Sequence, residues 1–144
     1  MIEVVSGILV KHGRILLQQR PALKDFGFSW ESPGGKVEGN ESHHQALRRE
    51  LHEELGIDIG ELPDGQKPAW TGTFENMVTR PDRVGVTLHF YAIGDRFTGE
   101  PTMKESQPGM GWFLSDEMLC LDLSPANARA KYEIAQVMRR EGMR

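Results

Sequence analysis

Apolar positions along the chain follow two periodicities, and the change from one to the other marks the elements. Residues 2–10 (IEVVSGILV) are largely apolar and β-branched, and after Lys11-His12-Gly13 the segment 14–20 (RILLQQR) resumes the same character. This predicts a β-hairpin. Between 21 and 39, Pro21, Gly27, Pro33, Gly34, Gly35 and Gly39 punctuate too densely for regular structure, which predicts an ordered loop in which Phe26, Phe28 and Trp30 need burial. From Ser42 the period lengthens: Leu47, Leu51 and Leu55 recur every four residues and form one apolar stripe of a helix. Ser42 with Gln45 has the form of a capping box, and Gly56 follows the last leucine as a stop. Further on, residues 70–78 and 84–93 predict two strands joined by a turn at Arg80-Pro81-Asp82. Residues 111–114 predict a short strand and 127–140 a closing helix. Strands and helices in this order, without repeat or linker, predict an α/β sandwich with a mixed β-sheet, as a single domain over residues 1–144.

Composition narrows the partners more than the fold. The formal net charge of -4 argues against a broad phosphate-neutralising surface, so no nucleic-acid polymer is expected to bind. A small polyphosphate remains compatible, because divalent cations between carboxylates and phosphates reverse the local field. Cys120 is the one cysteine, which excludes an internal disulfide and reads as a packed thiol in a reducing compartment. The N-terminus lacks the basic flank of a signal peptide, and no apolar run reaches membrane-span length. A cytoplasmic protein without membrane attachment is the expectation.

On a helix at 100° per residue, Glu50, Glu53 and Glu54 fall within about a third of a turn, with Ala46 and Arg49 near them. Like charges at this spacing destabilise a helix by roughly 0.2 to 0.5 kcal/mol per pair, so stability gives no reason to cluster them. A hard cation does: Mg²⁺ takes oxygen ligands and commonly binds through one or two carboxylates plus substrate phosphates. Glu-x-x-Glu-Glu alone is most often a solvated helix face. Its surroundings change that reading. Gly35, five residues, Glu41, seven residues, then Arg49-Glu50-Leu51-His52-Glu53-Glu54-Leu55-Gly56-Ile57 satisfies every position of GX5EX7REUXEEXGU, where U is a bulky aliphatic residue. A chance match in a chain of this length is on the order of 10⁻⁸.

With that box the chain resembles the Nudix hydrolases. The resemblance implies the Nudix α/β/α sandwich and metal-assisted cleavage of a nucleotide pyrophosphate bond, with Mg²⁺ as cofactor and Mn²⁺ as the alternative. It implies a metal site at Glu50, Glu53, Glu54 and Gly35, with Glu41 supporting the loop and helix. Arg49 lies one turn before Glu53, where its guanidinium can orient that carboxylate. Gly34 and Gly35 are expected to allow a close turn into the helix.

The flanks are similar to the MutT-type 8-oxo-dGTP diphosphatases within the family. Residues 30–38 (WESPGGKVE) resemble the loop before the box, with Ser32 in place of a bulky residue, and Lys36 could set a positive charge near the phosphates. Residues 104–109 (KESQPG), followed by Trp112, resemble a loop whose glutamate acts at the metal site, a role that would fall to Glu105. Either Glu53 or Glu105 would then take the proton from the attacking water. Ser124-Pro125-Ala126-Asn127 resembles a segment whose asparagine reads the oxidised base; an ordinary helix start explains it equally well. Arg20 matches a basic residue near the nucleotide.

The expected reaction converts a nucleoside triphosphate to the monophosphate and pyrophosphate. Modified pyrimidine triphosphates, ADP-ribose and other nucleoside diphosphate derivatives, or dinucleoside polyphosphates are alternative substrates, and a non-catalytic nucleotide sensor is the alternative of another class. Residues 59–99 resemble the family least. Trp70, Phe74, Phe90 and Tyr91 there suit either base stacking or core. His43, His44 and His52 show no zinc-site pattern and read as surface residues. Monomer and homodimer remain open.

Overall fold

The structure, a computed structural model, describes residues 2–74 and 85–142. Its first long strand, β1 (Ile2–Lys11), turns back through His12-Gly13 into β2 (Arg14–Gln19), the antiparallel hairpin expected. The stretch expected to be loop holds two short strands, β3 (Trp30–Glu31) and β4 (Gly34–Lys36), which pair with β2 and β1. Proline and glycine spacing conceals them, because strands of two or three residues leave no period to read.

Helix α1 (His43–Leu55) begins and ends as its sequence predicts. The Ser42 hydroxyl accepts from the Gln45 amide at 3.1 Å, the Gln45 side chain accepts from the Ser42 amide at 2.9 Å, and Gly56 closes the helix in the left-handed conformation. Strands β5 (Trp70–Phe74) and β6 (Val86–Gly94) are antiparallel. The turn expected at Arg80-Pro81-Asp82 lies outside the described residues. Strand β7 (Met110–Phe113) pairs with β2, the short α2 (Ser115–Leu119) follows, and α3 (Pro125–Gly142) closes the chain, two residues longer at each end than expected.

The strands form a mixed sheet in the order β3-β2-β1-β6-β5, in which β1 and β6 are parallel and the other pairs antiparallel. Alternation along β1 and β6 decides which helix each side chain meets. Val5, Leu9, Tyr91 and Ile93 face α1 and pack with Leu47, Leu51 and Leu55; Ile8, Val10 and Phe90 face α3 and pack with Ile134 and Val137. The result is the expected α/β/α sandwich. Phe90 and Tyr91 are core, so neither is an open stacking platform.

One edge of β1 serves two partners. Val4, Val5 and Ser6 pair with β4, whereas Val10 and Lys11 pair with β2, so the sheet forks beyond Ser6. The functional cavity opens at this fork.

Three expectations fail on burial. Phe26 and Phe28 are 50% and 54% exposed, both at positive φ, because the loop turns outward there and only Trp30 packs, edge-on against Phe113. Cys120 is exposed as the residue that ends α2, so it is not a packed thiol. His43 does not stand free on the surface but joins side chains from two strands. Among the described residues, no helix is long and apolar enough to cross a membrane.

Candidate active site

Arg49 organises the entrance to the carboxylate helix. Its Nε and Nη2 donate to the two carboxylate oxygens of Glu41 at 2.7 and 2.8 Å, Nη1 donates to Glu50 at 3.0 Å and Glu53 at 3.3 Å, and Nη2 also donates to the Lys36 carbonyl at 3.0 Å. Two parallel bonds to one carboxylate suit the planar guanidinium fork. The hydrogen bonds from Arg49, followed by that from the Glu38 amide, hold the Glu41 carboxyl down to about 2. Arg49 therefore clamps the loop to the helix through Glu41 first, and reaches Glu53, the partner expected from spacing, only at the longest of these distances.

The need for glycine at 34 and 35 is close approach, not a turn. Neither has positive φ. A Cβ on Gly34 would strike the Val5 carbonyl, and one on Gly35 would strike the Glu50 carboxylate. Gly35 is thus the point where β4 backbone meets the helix carboxylates.

The three glutamates of the helix occupy different environments. Glu53 is exposed, Glu50 is half-buried, and Glu54 is buried at 9% exposure. Burial pushes the Glu54 carboxyl up to about 8; Gln18 opposes the shift, and the neighbouring charges of Glu50, Glu105 and Glu31 add to it. Burial likewise raises Glu50, against the pull of Arg49 and with small contributions from Glu53 and Glu105. Glu105 comes from the loop before β7, far away in sequence, and its field reaches both.

Two residues that sequence reasoning missed hold Glu54 in place. Gln18 Nε2 donates to the Glu54 carboxylate at 2.8 Å, and Gln107 Nε2 donates to both Gln18 Oε1 and the Glu54 carbonyl at 3.0 Å. Gln107 also accepts from the Glu105 amide at 2.9 Å, so it couples the Glu105 loop to the helix end. The available signal was Gln18 itself, a polar residue directly after the apolar run Ile15, Leu16 and Leu17 of β2 and buried with it.

These groups line one end of a cavity of about 620 Å³. Gly35, Lys36, Glu54 and Glu105 stand there, while Val4, Val86 and Leu88 form an apolar wall and Asn127 reaches in from the first turn of α3. Asn127 is 2% exposed, its Oδ1 accepts from the Ser32 amide at 3.1 Å, and its Nδ2 donates to the Ser32 hydroxyl at 3.0 Å. An amide has two donors and two lone pairs, so one donor and part of the acceptor capacity remain, the latter shared with the Ser124 hydroxyl at 3.4 Å. Arg20 also lines the cavity, where its guanidinium donates to Glu31 at 3.0 Å and to the Asp25 carbonyl at 2.8 Å. Burial raises the Glu31 carboxyl and Arg20 partly offsets this. Trp70 and Phe74 lie against Arg129 and do not line the cavity.

Of the site residues expected from sequence, Arg20, Gly35, Lys36, Glu54, Glu105 and Asn127 line the cavity at the fork of the sheet, whereas Arg49 holds Glu50 and Glu53 beside it. Residues 2–136 match the profile of the NUDIX domain. The chain is 40% identical over 129 residues to the CTP pyrophosphohydrolase of Escherichia coli (strain K12), covering 88% of this chain and 86% of that protein. It is 34% identical over 123 residues to the 8-oxo-dGTP diphosphatase of Proteus vulgaris, covering 83% and 95%. The solution structure of the E. coli ORF135 protein superposes with a TM-score of 0.77 at 34% identity, over 95% of this chain and 90% of that one. The crystal structure of a MutT NUDIX hydrolase from Burkholderia pseudomallei gives 0.77 at 27% identity, over 92% and 96%.

Proposed function

Because the chain belongs to the NUDIX domain family, we propose that it is a Mg²⁺-dependent pyrophosphohydrolase that converts a nucleoside triphosphate to the monophosphate and pyrophosphate. Nudix hydrolases act with a divalent metal ion, and the donor set here suits a hard one. Glu50 and Glu54 are each raised by burial and by the charges of neighbouring carboxylates, Glu105 among them for both, a repulsion that costs stability unless a cation sits among them. That convergence is the observation that carries the proposal. Glu50, Glu54 and Glu53 would hold the ion beside the Gly35 backbone, with Mn²⁺ as a substitute. Bound there, it would neutralise phosphate oxygens as charge develops on them.

The chain's own residues supply the rest. Arg49 fixes Glu50 and Glu53 relative to β4, and Gln18 with Gln107 fixes Glu54. Lys36, exposed at the cavity mouth, offers a positive charge to the leaving pyrophosphate. Glu105 or Glu53, both exposed, takes the proton from the attacking water. The apolar wall of Val4, Val86 and Leu88 receives the base, and Arg20 borders the same space while orienting Glu31.

The remaining donor of Asn127, with an Oδ1 that would exchange its long 3.4 Å contact to the Ser124 hydroxyl for a base N–H, matches two base edges. 8-Oxoguanine presents N7–H beside O6, and cytosine presents N4–H beside N3, so either can donate to Oδ1 and accept from Nδ2. Oxidised purine and pyrimidine triphosphates are therefore the two substrate readings, and the relatives at 34% and 40% identity carry one name of each kind. Pyrophosphate release from a panel containing 8-oxo-dGTP, dGTP, CTP, dCTP and 5-substituted dCTP decides between them. Asn127→Ala should erode discrimination within the preferred pair far more than turnover of a poor substrate; equal rates across the panel would refute base reading at Asn127. The absence of pyrophosphate release from every nucleotide would favour a non-catalytic sensor. The protein acts on this reading as one Nudix domain on a free nucleotide, in the cytoplasm, as a monomer or homodimer.

A further inference from the structure

The face of the sheet that carries α1 holds a second cluster of ligating groups, on the side opposite the apolar wall of the cavity. Glu3 and His89 share the alternation of Val5, Tyr91 and Ile93, which point towards α1, whereas Val4 and Leu88 line the cavity from the other face. His43 joins them from the first turn of α1. Glu3 Oε1 lies 3.1 Å from His89 Nε2 and 3.8 Å from His43 Nε2, and one ligand atom from each of the three residues lies within 4.8 Å of the others. The imidazole rings stand 4.4 Å apart, centroid to centroid.

Two features separate this cluster from a chance meeting of polar side chains. The edge of a tetrahedron with metal–ligand bonds of about 2.1 Å is roughly 3.4 Å, and the two Glu3 separations bracket that value. In addition, both rings are oriented through their other nitrogen. His43 Nδ1 bonds the Tyr91 hydroxyl at 2.7 Å, and His89 Nδ1 bonds the Thr71 hydroxyl at 3.0 Å. Outer hydroxyl partners of this kind fix tautomer and ring plane at metal-binding histidines, and here they direct the Nε2 atoms towards Glu3, with which His89 Nε2 shares a hydrogen bond at 3.1 Å.

We propose that Glu3, His43 and His89 form a binding site for a borderline divalent transition metal, Zn²⁺ in the first instance, separate from the hard-cation site at the box carboxylates. Two imidazoles and one carboxylate favour Zn²⁺ over Mg²⁺. Glu3 and His43 are partly exposed, so the fourth position opens to solvent. An ion here ties β1, β6 and the first turn of α1 together, and so anchors the helix that bears Glu50, Glu53 and Glu54.

The test uses the full chain stripped with chelator, then supplied with excess Mg²⁺ to occupy the carboxylates, and titrated with Zn²⁺ by calorimetry. The parent protein should take up one equivalent of Zn²⁺, and Glu54→Gln should retain it. His43→Asn and His89→Asn should each bind at least tenfold more weakly while keeping Mg²⁺-dependent turnover, since neither residue lines the cavity. Thr71→Ala should weaken binding by about tenfold through loss of ring orientation alone. In the parent protein, the imidazole NMR signals of His43 and His89 should shift on Zn²⁺ addition; this readout holds even if a variant folds poorly. Absence of those shifts, or Zn²⁺ affinity unchanged in both histidine variants, would overturn the proposal.

Discussion

Glu54→Gln should move activity and stability in opposite directions. The glutamine keeps the shape of the side chain and still offers an oxygen to Gln18 Nε2, which donates to Glu54 at 2.8 Å. What it removes is a carboxylate that the fold holds at an unfavourable pKa, raised from the usual 4.5 to about 8. Below pH 4.5 the group is neutral folded and unfolded, and the penalty is absent. As pH rises from 4.5 towards 8 the unfolded chain ionises and the folded one resists, so the parent protein loses stability that the variant keeps. At pH 7 the difference integrates to roughly 3 kcal/mol. For a chain of this size that is an increase in Tm of roughly 6 to 12 °C. The assay is thermal unfolding of both proteins in chelator at pH 4 to 8, followed by pyrophosphate release with Mg²⁺. Turnover should fall by a factor on the order of 10² or more, because a carboxylate at the metal site is gone. A variant no more stable than the parent at pH 7 would refute the burial argument, and near-parental turnover would refute the metal-site assignment.

The clamp around Arg49 yields further tests. Glu41→Gln should lower the Tm at pH 7, and since the Glu41 carboxyl sits at about 2, the gap from the parent should close as pH falls from 4.5 towards 2; a gap independent of pH would exclude the ionic contribution. Arg49→Lys keeps the charge but not the fork that serves Glu41, Glu50 and the Lys36 carbonyl, so kcat should drop tenfold or more in steady-state assays. Parental kcat would show that the geometry of the guanidinium is immaterial. Gly35→Ala places a Cβ against the Glu50 carboxylate and should cost about 1 to 3 kcal/mol in urea unfolding. Its loss of turnover should exceed that of a Gly39→Ala control, where a Cβ meets nothing within 4 Å but φ is positive.

Local signals in the sequence sufficed for elements whose pattern is complete within themselves. The leucine stripe, the Ser42–Gln45 cap and Gly56 defined α1 to within a residue, and the hairpin followed from two β-branched runs around His12-Gly13. The spacing of Gly35, Glu41, Arg49, Glu50, Glu53 and Glu54 likewise identified the chemistry, because a motif carried on one helix and its entry needs no distant partner. Tertiary structure decided what depends on contacts far apart in the chain. Glu54 lies beside Leu47 on the helix, which turns it inward where Glu53 is not, but its partners Gln18 and Gln107 come from β2 and the Glu105 loop and are invisible to a helix wheel. Gly35 is required by the nearness of Glu50, not by its own backbone angles. Phe26 and Phe28 had the composition of core residues, yet the loop carrying them turned outward. His43 read as a surface residue until the sheet brought Glu3 and His89 beside it from strands 40 and 46 positions away. Periodicity reports which face a residue occupies; only the packed chain determines what that face meets.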